Sequence, residues 1–279
     1  MIQDICPSKL HNEYRCLTIG DDDFLFVFNE KGEALAKSID NRLEFPKGSD
    51  IGNGDAIYLF SIDDTRYFLY NNWDSSEELS LDNYAYYSIK DVRDDFSELS
   101  KVEVYACFTA FHLWKWYNDN QFCGKCGSKL HLHDKERALK CDSCGNMVFP
   151  RINPAVIVGV TNGNKILITK YRTGYAHSAL IAGFTEIGET VEETVTREVM
   201  EEAGIKVKSI RYYKSQPWGM AQDILMGFFC EVDGNDTIHM DNNELKYAEW
   251  INREDIELQP NNLSLTNEMM KLFKDNELI

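Results

Sequence analysis

The chain has 279 residues, 43% hydrophobic and 27% charged, the balance of a folded protein long enough for two moderate domains. Lysine and arginine total 29 against 46 aspartates and glutamates, a net charge of 29 − 46 = −17. This excludes a whole-molecule basic face for nucleic acid, and a phosphate-bearing substrate then needs local cations from metal ions or a few placed basic residues.

No apolar run of about 18 residues is present, so no membrane span is expected. Met1-Ile2-Gln3-Asp4 shows neither a basic nor an apolar leader region, and a cytoplasmic protein is the expectation.

Residues 1 to about 100 are rich in aromatic and alternating segments. Phe24-Leu25-Phe26-Val27-Phe28 is a compact apolar run. Ile57 to Ile62 and Arg66 to Tyr70 flank a polar turn at Asp63 and Asp64, the pattern of a β-hairpin. No chemical motif falls in this stretch, so a β-rich domain for packing or dimerisation is expected. Residues from about 94 to 119 read as a helix carrying Phe108, Phe111, His112, Trp114, Trp116 and Tyr117. His112 reads as a core or boundary histidine.

Next comes Cys123-x2-Cys126, then 14 residues, then Cys141-x2-Cys144, with Gly127 and Gly145 following the pairs. Four thiolates close a tetrahedral Zn2+ shell with no open position, so one structural zinc per chain is expected. His131 and His133 lie between the pairs and are capable of ligating, but four cysteines complete the site. Zinc ribbons also serve nucleic-acid binders. Residues 121–150, however, hold only five basic residues (Lys125, Lys129, Lys135, Arg137, Lys140) against three acidic ones (Asp134, Glu136, Asp142), too small a surplus for a phosphate-binding patch.

From about residue 152 strand and helix patterns alternate. Pro154 to Val160 and Lys165 to Tyr171 read as strands about an Asn162-Gly163-Asn164 turn. Thr190-x-x-Glu193 is a capping-box pattern, so a helix is expected from Val191. Val191, Val195, Val199 and Ala203 supply its buried stripe, and Gly204 ends it. Glu198, Glu201 and Glu202 are spaced i, i+3 and i+4, and are expected together on one face away from that stripe. Such a face is either simply solvated or built to hold hard cations, since Mg2+ favours a few carboxylates with phosphate oxygens and water.

Read in order, Gly183-x5-Glu189-x7-Arg197-Glu198-Val199-x-Glu201-Glu202-x-Gly204-Ile205 matches every defined position of the Nudix box. The chain therefore resembles Nudix hydrolases, which implies a mixed sheet between helices and cleavage of a nucleoside diphosphate linked to another moiety. The wider layout resembles the NADH pyrophosphatase (NAD diphosphatase) family. It implies an α+β chain with a β-rich N-terminal domain over 1–119, a four-cysteine zinc ribbon over 120–150 and a Nudix domain over 151–279. Phe149-Pro150-Arg151 after the last cysteine and Ser215-Gln216-Pro217-Trp218 past the box carry this second resemblance. Where the family continues Pro-Phe-Pro, this chain has Gly219-Met220-Ala221, which is expected to loosen the loop and remove a stacking ring.

Carried over by position, the resemblance implies that Glu198, Glu202 and Glu244, with the backbone carbonyl of Ala182, hold Mg2+ or Mn2+. Glu201 matches a further ligand or water-positioning group, and the general base is Glu201 or Glu244. Phe184 matches an aromatic that packs on adenine, Phe149 a ring near the substrate, and Gln216, Pro217, Trp218, Gly219, Met220, Ala221, Gln222 and Asp223 the pocket loop. Thr266 matches a late substrate contact. Glu189 and Arg197 are expected to pair and orient the helix. The implied reaction is hydrolysis of the pyrophosphate of NAD(H) to AMP and nicotinamide mononucleotide, with NAD-capped RNA as a further substrate and a homodimer as the assembly. The alternatives are another nucleoside diphosphate derivative such as ADP-ribose, and a zinc-ribbon nucleic-acid binder.

Overall fold

A computed structural model describes residues 1–51, 55–71, 78–172 and 177–277. Its contacts divide the chain into two units. One comprises Asp4–Arg151 with Gly219–Gln222, and the other Met1–Gln3, Ile152–Trp218 and Asp223–Ile279.

The first unit begins with short strands β1 (Leu10–His11), β2 (Phe24–Phe26), β3 (Ala34–Ile39) and β4 (Arg42–Glu44), a helical turn α1 (Gly48–Ile51), then β5 (Ala56–Ile62), β6 (Thr65–Tyr70) and β7 (Ala85–Tyr87). The expected hairpin is β5–β6, antiparallel, with Asp63 at φ +52° in its turn. The run from Phe24 supplies β2, which pairs parallel with β6 and completes a sheet of order β1-β5-β6-β2. A second small sheet has the order β4-β3-β7.

The helix expected over 94–119 is two helices, α2 (Ile89–Phe96) and α3 (Lys101–Asp119). Ser100 breaks them. It sits at φ −133°, outside the helical region, and its buried hydroxyl accepts from the Leu43 amide at 2.9 Å. A hydroxyl that offers the backbone a competing partner favours the end of a helix over its interior. Helix α3 packs Trp114 and Phe111 against Phe28, with ring centroids 5.1 and 5.9 Å apart. Three two-residue strands follow, β8 (His131–Leu132), β9 (Leu139–Lys140) and β10 (Met147–Val148), in the order β10-β9-β8.

The second unit holds β11 (Asn153–Asn162), β12 (Lys165–Tyr171), β13 (Ile181–Phe184), α4 (Val191–Ala203), β14 (Val207–Trp218), β15 (Asp223–Val232), β16 (Leu245–Asn252) and α5 (Leu265–Lys274). Its sheet runs β14-β15-β11-β12-β16, with β13 also on β11. Only β11–β15 is parallel, so the sheet is mixed. Alternation along β11 sends Val156, Val158 and Val160 to one face, against Val195, Val199 and Ala203 of α4. Ile157 goes to the other face, against Leu265, Met269, Met270 and Phe273 of α5. Each fully buried aliphatic or phenylalanine side chain here contributes roughly 1.5–3 kcal/mol. The mixed sheet between helices is the architecture that the resemblance implies. Among the described residues, no helix is long and apolar enough to cross a membrane.

Candidate functional site

Helix α4 starts and stops as its sequence requires. Thr190 Oγ1 accepts from the Glu193 amide at 3.2 Å, and Glu193 Oε2 accepts from the Thr190 amide at 2.7 Å, closing the capping box. At the far end the Gly204 amide donates to the Met200 carbonyl at 3.0 Å.

The three glutamates do not share one solvated face. Glu198 is 9% exposed and Glu202 only 2%, whereas Glu201 faces solvent. The reason lies in the helix period: at about 100° per residue, a residue seven positions on returns to within about 20°. Glu198 is seven beyond Val191 and Glu202 seven beyond Val195, so both continue the buried stripe. Glu201 lies about 100° from Glu202 and turns outward.

Arg197 gathers this acidic surface. Its guanidinium donates to Glu189 at 2.6 and 2.9 Å, to Glu198 at 2.7 Å, to Glu201 at 2.9 Å and to the Phe184 carbonyl at 2.9 Å. The expected Glu189–Arg197 pair is thus present, and Arg197 holds the Glu189 carboxyl down at about 2. The Glu198 carboxyl is raised, because burial outweighs its pairing with Arg197.

Glu198 lies so close to β13 that a Cβ at Gly183 would overlap its carboxylate. Only glycine lets the acid into this cradle. The obstruction is the end of a flexible side chain, so Gly183→Ala is expected to shift the thermal midpoint by only a few degrees. It displaces the carboxylate, however, and kcat should fall by at least about tenfold. Paired melting and rate measurements check this; unchanged kcat would show that the position of Glu198 does not matter.

Glu202 is the most deeply placed acid. Burial first, then the nearby charges of Glu198 and Glu244, push its carboxyl up to about 8. Tyr171, at the end of β12, donates to it at 3.2 Å, a contact that sequence reading did not anticipate. Glu244 is exposed and precedes β16; its carbonyl accepts from the Arg172 amide at 3.0 Å.

A folded-state pKa raised above the unfolded value of 4.5 gives stability that is complete below that value and is lost as pH rises through about 8. Without Mg2+ or Mn2+, this group should cost the protein on the order of 3 kcal/mol between pH 5 and 8. Glu202→Gln should flatten that slope. Urea unfolding of the zinc-loaded protein at both pH values tests this, and equal slopes for parent and variant would contradict it.

Two buried carboxylates, an exposed third and the half-buried Ala182 on β13 would offer oxygen donors only, and the glycine at 183 leaves room for the Glu198 carboxylate. This fits a hard divalent cation. Among the described residues, only the four cysteines bring three or more ligand atoms within 4.8 Å of one another. The carboxylates are less tightly gathered.

The cysteine site is built from two similar turns. The Gly127 amide donates to the Cys123 carbonyl at 2.8 Å and the Gly145 amide to the Cys141 carbonyl at 2.9 Å, with φ +76° and +71° at the glycines. Cys123 and Cys144 sulfurs lie 3.7 Å apart, and Cys126 and Cys141 sulfurs 3.4 Å. Four sulfurs at about 2.3 Å from tetrahedral Zn2+ would be about 3.8 Å apart, so the donor set fits zinc. His131 is exposed; the His133 ring accepts from the Lys135 and Glu136 amides at 3.3 and 3.2 Å and belongs to a turn.

The residues implied for substrate fall in both units. Phe149 (55% exposed) and the Gly219–Gln222 turn belong to the first. That turn is tighter than its composition suggests. The Gln222 amide donates to the Gly219 carbonyl at 3.2 Å, Arg151 donates to the Gln222 side chain, and a Cβ at Gly219 would overlap the Phe108 carbonyl. Glycine at 219 permits this close approach. Met220 is half-buried and Ala221 exposed. His112, as expected at a boundary, donates from Nε2 to the Arg151 carbonyl at 2.8 Å.

In the second unit Phe184 is 53% exposed at the end of β13. Pro217 is exposed, Trp218 is half-buried, and Asp223 is buried with its carboxyl raised by burial to about 6. Thr266 is a half-buried residue in the first turn of α5. Gln216 is fully buried, and its amide is committed elsewhere: it donates to the Leu263 carbonyl and accepts from the Leu265 amide, both at 2.7 Å. It fastens the start of α5.

Residues 151–273 match the model of the NUDIX domain family. These residues are a Nudix domain. Residues 118–149 match the NADH pyrophosphatase zinc ribbon domain, so the four cysteines are those of a zinc ribbon. Over 151 residues the chain is 41% identical to the NAD-capped RNA hydrolase NudC of Salmonella schwarzengrund (strain CVM19633) and 40% identical to that of Escherichia coli O9:H4 (strain HS). Each match covers 53% of this chain and 58% of the relative, so the chain spans less than two thirds of the relatives it matches. A NUDIX hydrolase from Nitrosomonas europaea aligns with 56% of this chain and 91% of its own, at 21% identity and a TM-score of 0.49.

Proposed function

We propose that this Nudix chain hydrolyses the pyrophosphate bond of NAD(H), giving AMP and nicotinamide mononucleotide. The observation that carries the reading is the buried Glu198–Glu202 pair, held between the Gly183 cradle and Tyr171 in a domain joined to an NADH pyrophosphatase zinc ribbon. Glu198, Glu202, Glu244 and the Ala182 carbonyl would hold Mg2+ or Mn2+. When bound, these ions supply the local positive charge that an acidic protein lacks, polarise the phosphoryl oxygens and lower the pKa of water.

The chain's own residues do the rest. Arg197 holds Glu189, Glu198 and Glu201 in place. Phe184 offers an exposed ring for a base. Glu201 or Glu244, both exposed, takes the proton from the attacking water. The relatives named NAD-capped RNA hydrolase support 5′-NAD-RNA as a substrate cut at the same bond.

The same reading assigns an N-terminal domain to 1–119, the ribbon to 120–150 and the Nudix domain to 151–279, in a homodimer. A cytoplasmic location suits thiolates that must stay reduced to bind zinc. The decisive experiment is product analysis after incubation with NADH and Mn2+, beside ADP-ribose and 5′-NAD-RNA. AMP together with reduced nicotinamide mononucleotide is expected. Hydrolysis of ADP-ribose alone, or salt-dependent RNA binding without cleavage, would overturn the reading. Light scattering tests the dimer, which a monomer would refute.

A further inference from the structure

The end of β12 carries a contact that the proposed reaction does not by itself account for. Strands β12 and β16 pair in regular antiparallel register until Lys170 opposite Tyr247; the next partner of Tyr171 is Leu245, so Lys246 is skipped. The extra residue lies on β16, so β12 keeps its alternation, and Tyr171 falls on the same face as Leu167, which packs against Val195 and Val199 of α4. The same irregularity lies beside Glu244, the residue before Leu245, whose carbonyl accepts from Arg172.

The phenol of Tyr171 reaches two residues. Its oxygen accepts from the Ala182 amide at 3.1 Å. Its hydroxyl faces Glu202 Oε1 at 3.2 Å, Glu202 Oε2 at 3.4 Å and the Ala182 carbonyl at 3.4 Å. Among the described residues, every hydrogen bond of the phenol goes to Glu202 or Ala182. A tyrosine that merely filled the core would need a partner for its hydroxyl but not these two residues together.

A phenol has one proton to give. Directed to Glu202 Oε1, the shortest of the three, it fixes the carboxylate while occupying one lone pair on one oxygen. Oε2 and the Ala182 carbonyl keep theirs. The accepted amide hydrogen bond meanwhile sets the orientation of the peptide at Ala182.

We propose that Tyr171 is a positioning residue for the divalent-cation site, setting the Glu202 carboxylate and the Ala182 peptide through a single phenol oxygen. This rests on the reading of Glu202 and Ala182 as cation ligands. Partners behind metal ligands tune affinity by about 10- to 100-fold, so removing the hydroxyl should weaken the cation by about tenfold.

The test is Mn2+ titration calorimetry on the full, zinc-loaded chain as parent, Tyr171→Phe, Glu202→Gln and the double variant. Tyr171→Phe should bind Mn2+ about tenfold more weakly. Its melting without Mn2+ should stay within a few degrees of the parent, and the Mn2+ concentration for half-maximal rate should rise with the KM for NADH unchanged. Removing the Tyr171 hydroxyl should cost less affinity in the Glu202→Gln background than in the parent, because only the Ala182 peptide is left to position. Parent-like Mn2+ affinity in Tyr171→Phe, with affinity lost in Glu202→Gln, would overturn the proposal. Parent-like affinity in Glu202→Gln would instead overturn Glu202 as a ligand, a separate failure. If Tyr171→Phe does not fold, Tyr171→Gln, which keeps a donor and an acceptor, should bind Mn2+ more tightly than Tyr171→Leu. Equal affinities would overturn the proposal.

Discussion

Glu202→Gln is expected to lower kcat for NADH by at least about 100-fold, roughly 2.7 kcal/mol of barrier. The substitution exchanges one carboxylate oxygen for an amide and leaves the volume of the side chain unchanged. Tyr171 keeps an oxygen to donate to, and the cost of burying a charge at 2% exposure disappears, so the metal-free fold should be no less stable. What is lost is a formal charge at the place where the proposed reaction needs cations held against two phosphates. Glu198→Gln should act alike, and Arg197 keeps Glu189 and Glu201 as partners in that variant. The check is kcat at saturating NADH and Mn2+ with the melting curve alongside. Near-normal turnover from a folded variant would remove the residue from the site.

Removal of zinc should act on the fold before it acts on the chemistry. Strands β8, β9 and β10 have two residues each, and apart from Cys123 and Cys141 the buried residues of the ribbon are Leu130, Ala138 and Leu139. That core is too small to hold the segment, and apparent zinc binding in such small domains is worth on the order of 10 kcal/mol or more.

The ribbon also carries Arg137, whose Nη2 donates to the Leu59 carbonyl at 2.6 Å, and its His133 carbonyl accepts from Tyr14 at 3.0 Å. Unfolding the ribbon strips these partners from the N-terminal strands of the same unit. A fall in thermal midpoint of more than about 10 °C is expected on chelation, with activity lost in step with structure. A zinc-free protein that melts like the parent and still turns over would contradict the structural role.

Local chemistry made helix α4 readable. Its capping box, stripe and glycine stop depend on neighbours within a few residues, and all three stand where the spacing puts them. The cysteine turns are local in the same sense. The burial of Glu198 and Glu202 was also within reach, since each lies seven residues after a stripe valine; reading the glutamates as one charged face obscured it.

Other features depended on distant partners. Tyr171 shares the α4-facing side of β12 with Leu167, but its bond to Glu202, 31 residues on, exists only once α4 packs across that face. Gln216 caps α5 from a strand far earlier in the chain, and Gly219 is needed because of the Phe108 carbonyl. The break between α2 and α3 turns on a hydroxyl that serves Leu43. Each is a tertiary contact that overrides a sound local pattern.

The central claim is that buried glutamates of α4 grip divalent ions. Anomalous diffraction from crystals soaked in Mn2+ tests it most directly. A peak beside the Glu198 and Glu202 carboxylates, close to the Ala182 carbonyl and Glu244, is the predicted result. A map empty at that helical turn, with no Mn2+ uptake by calorimetry, would contradict it.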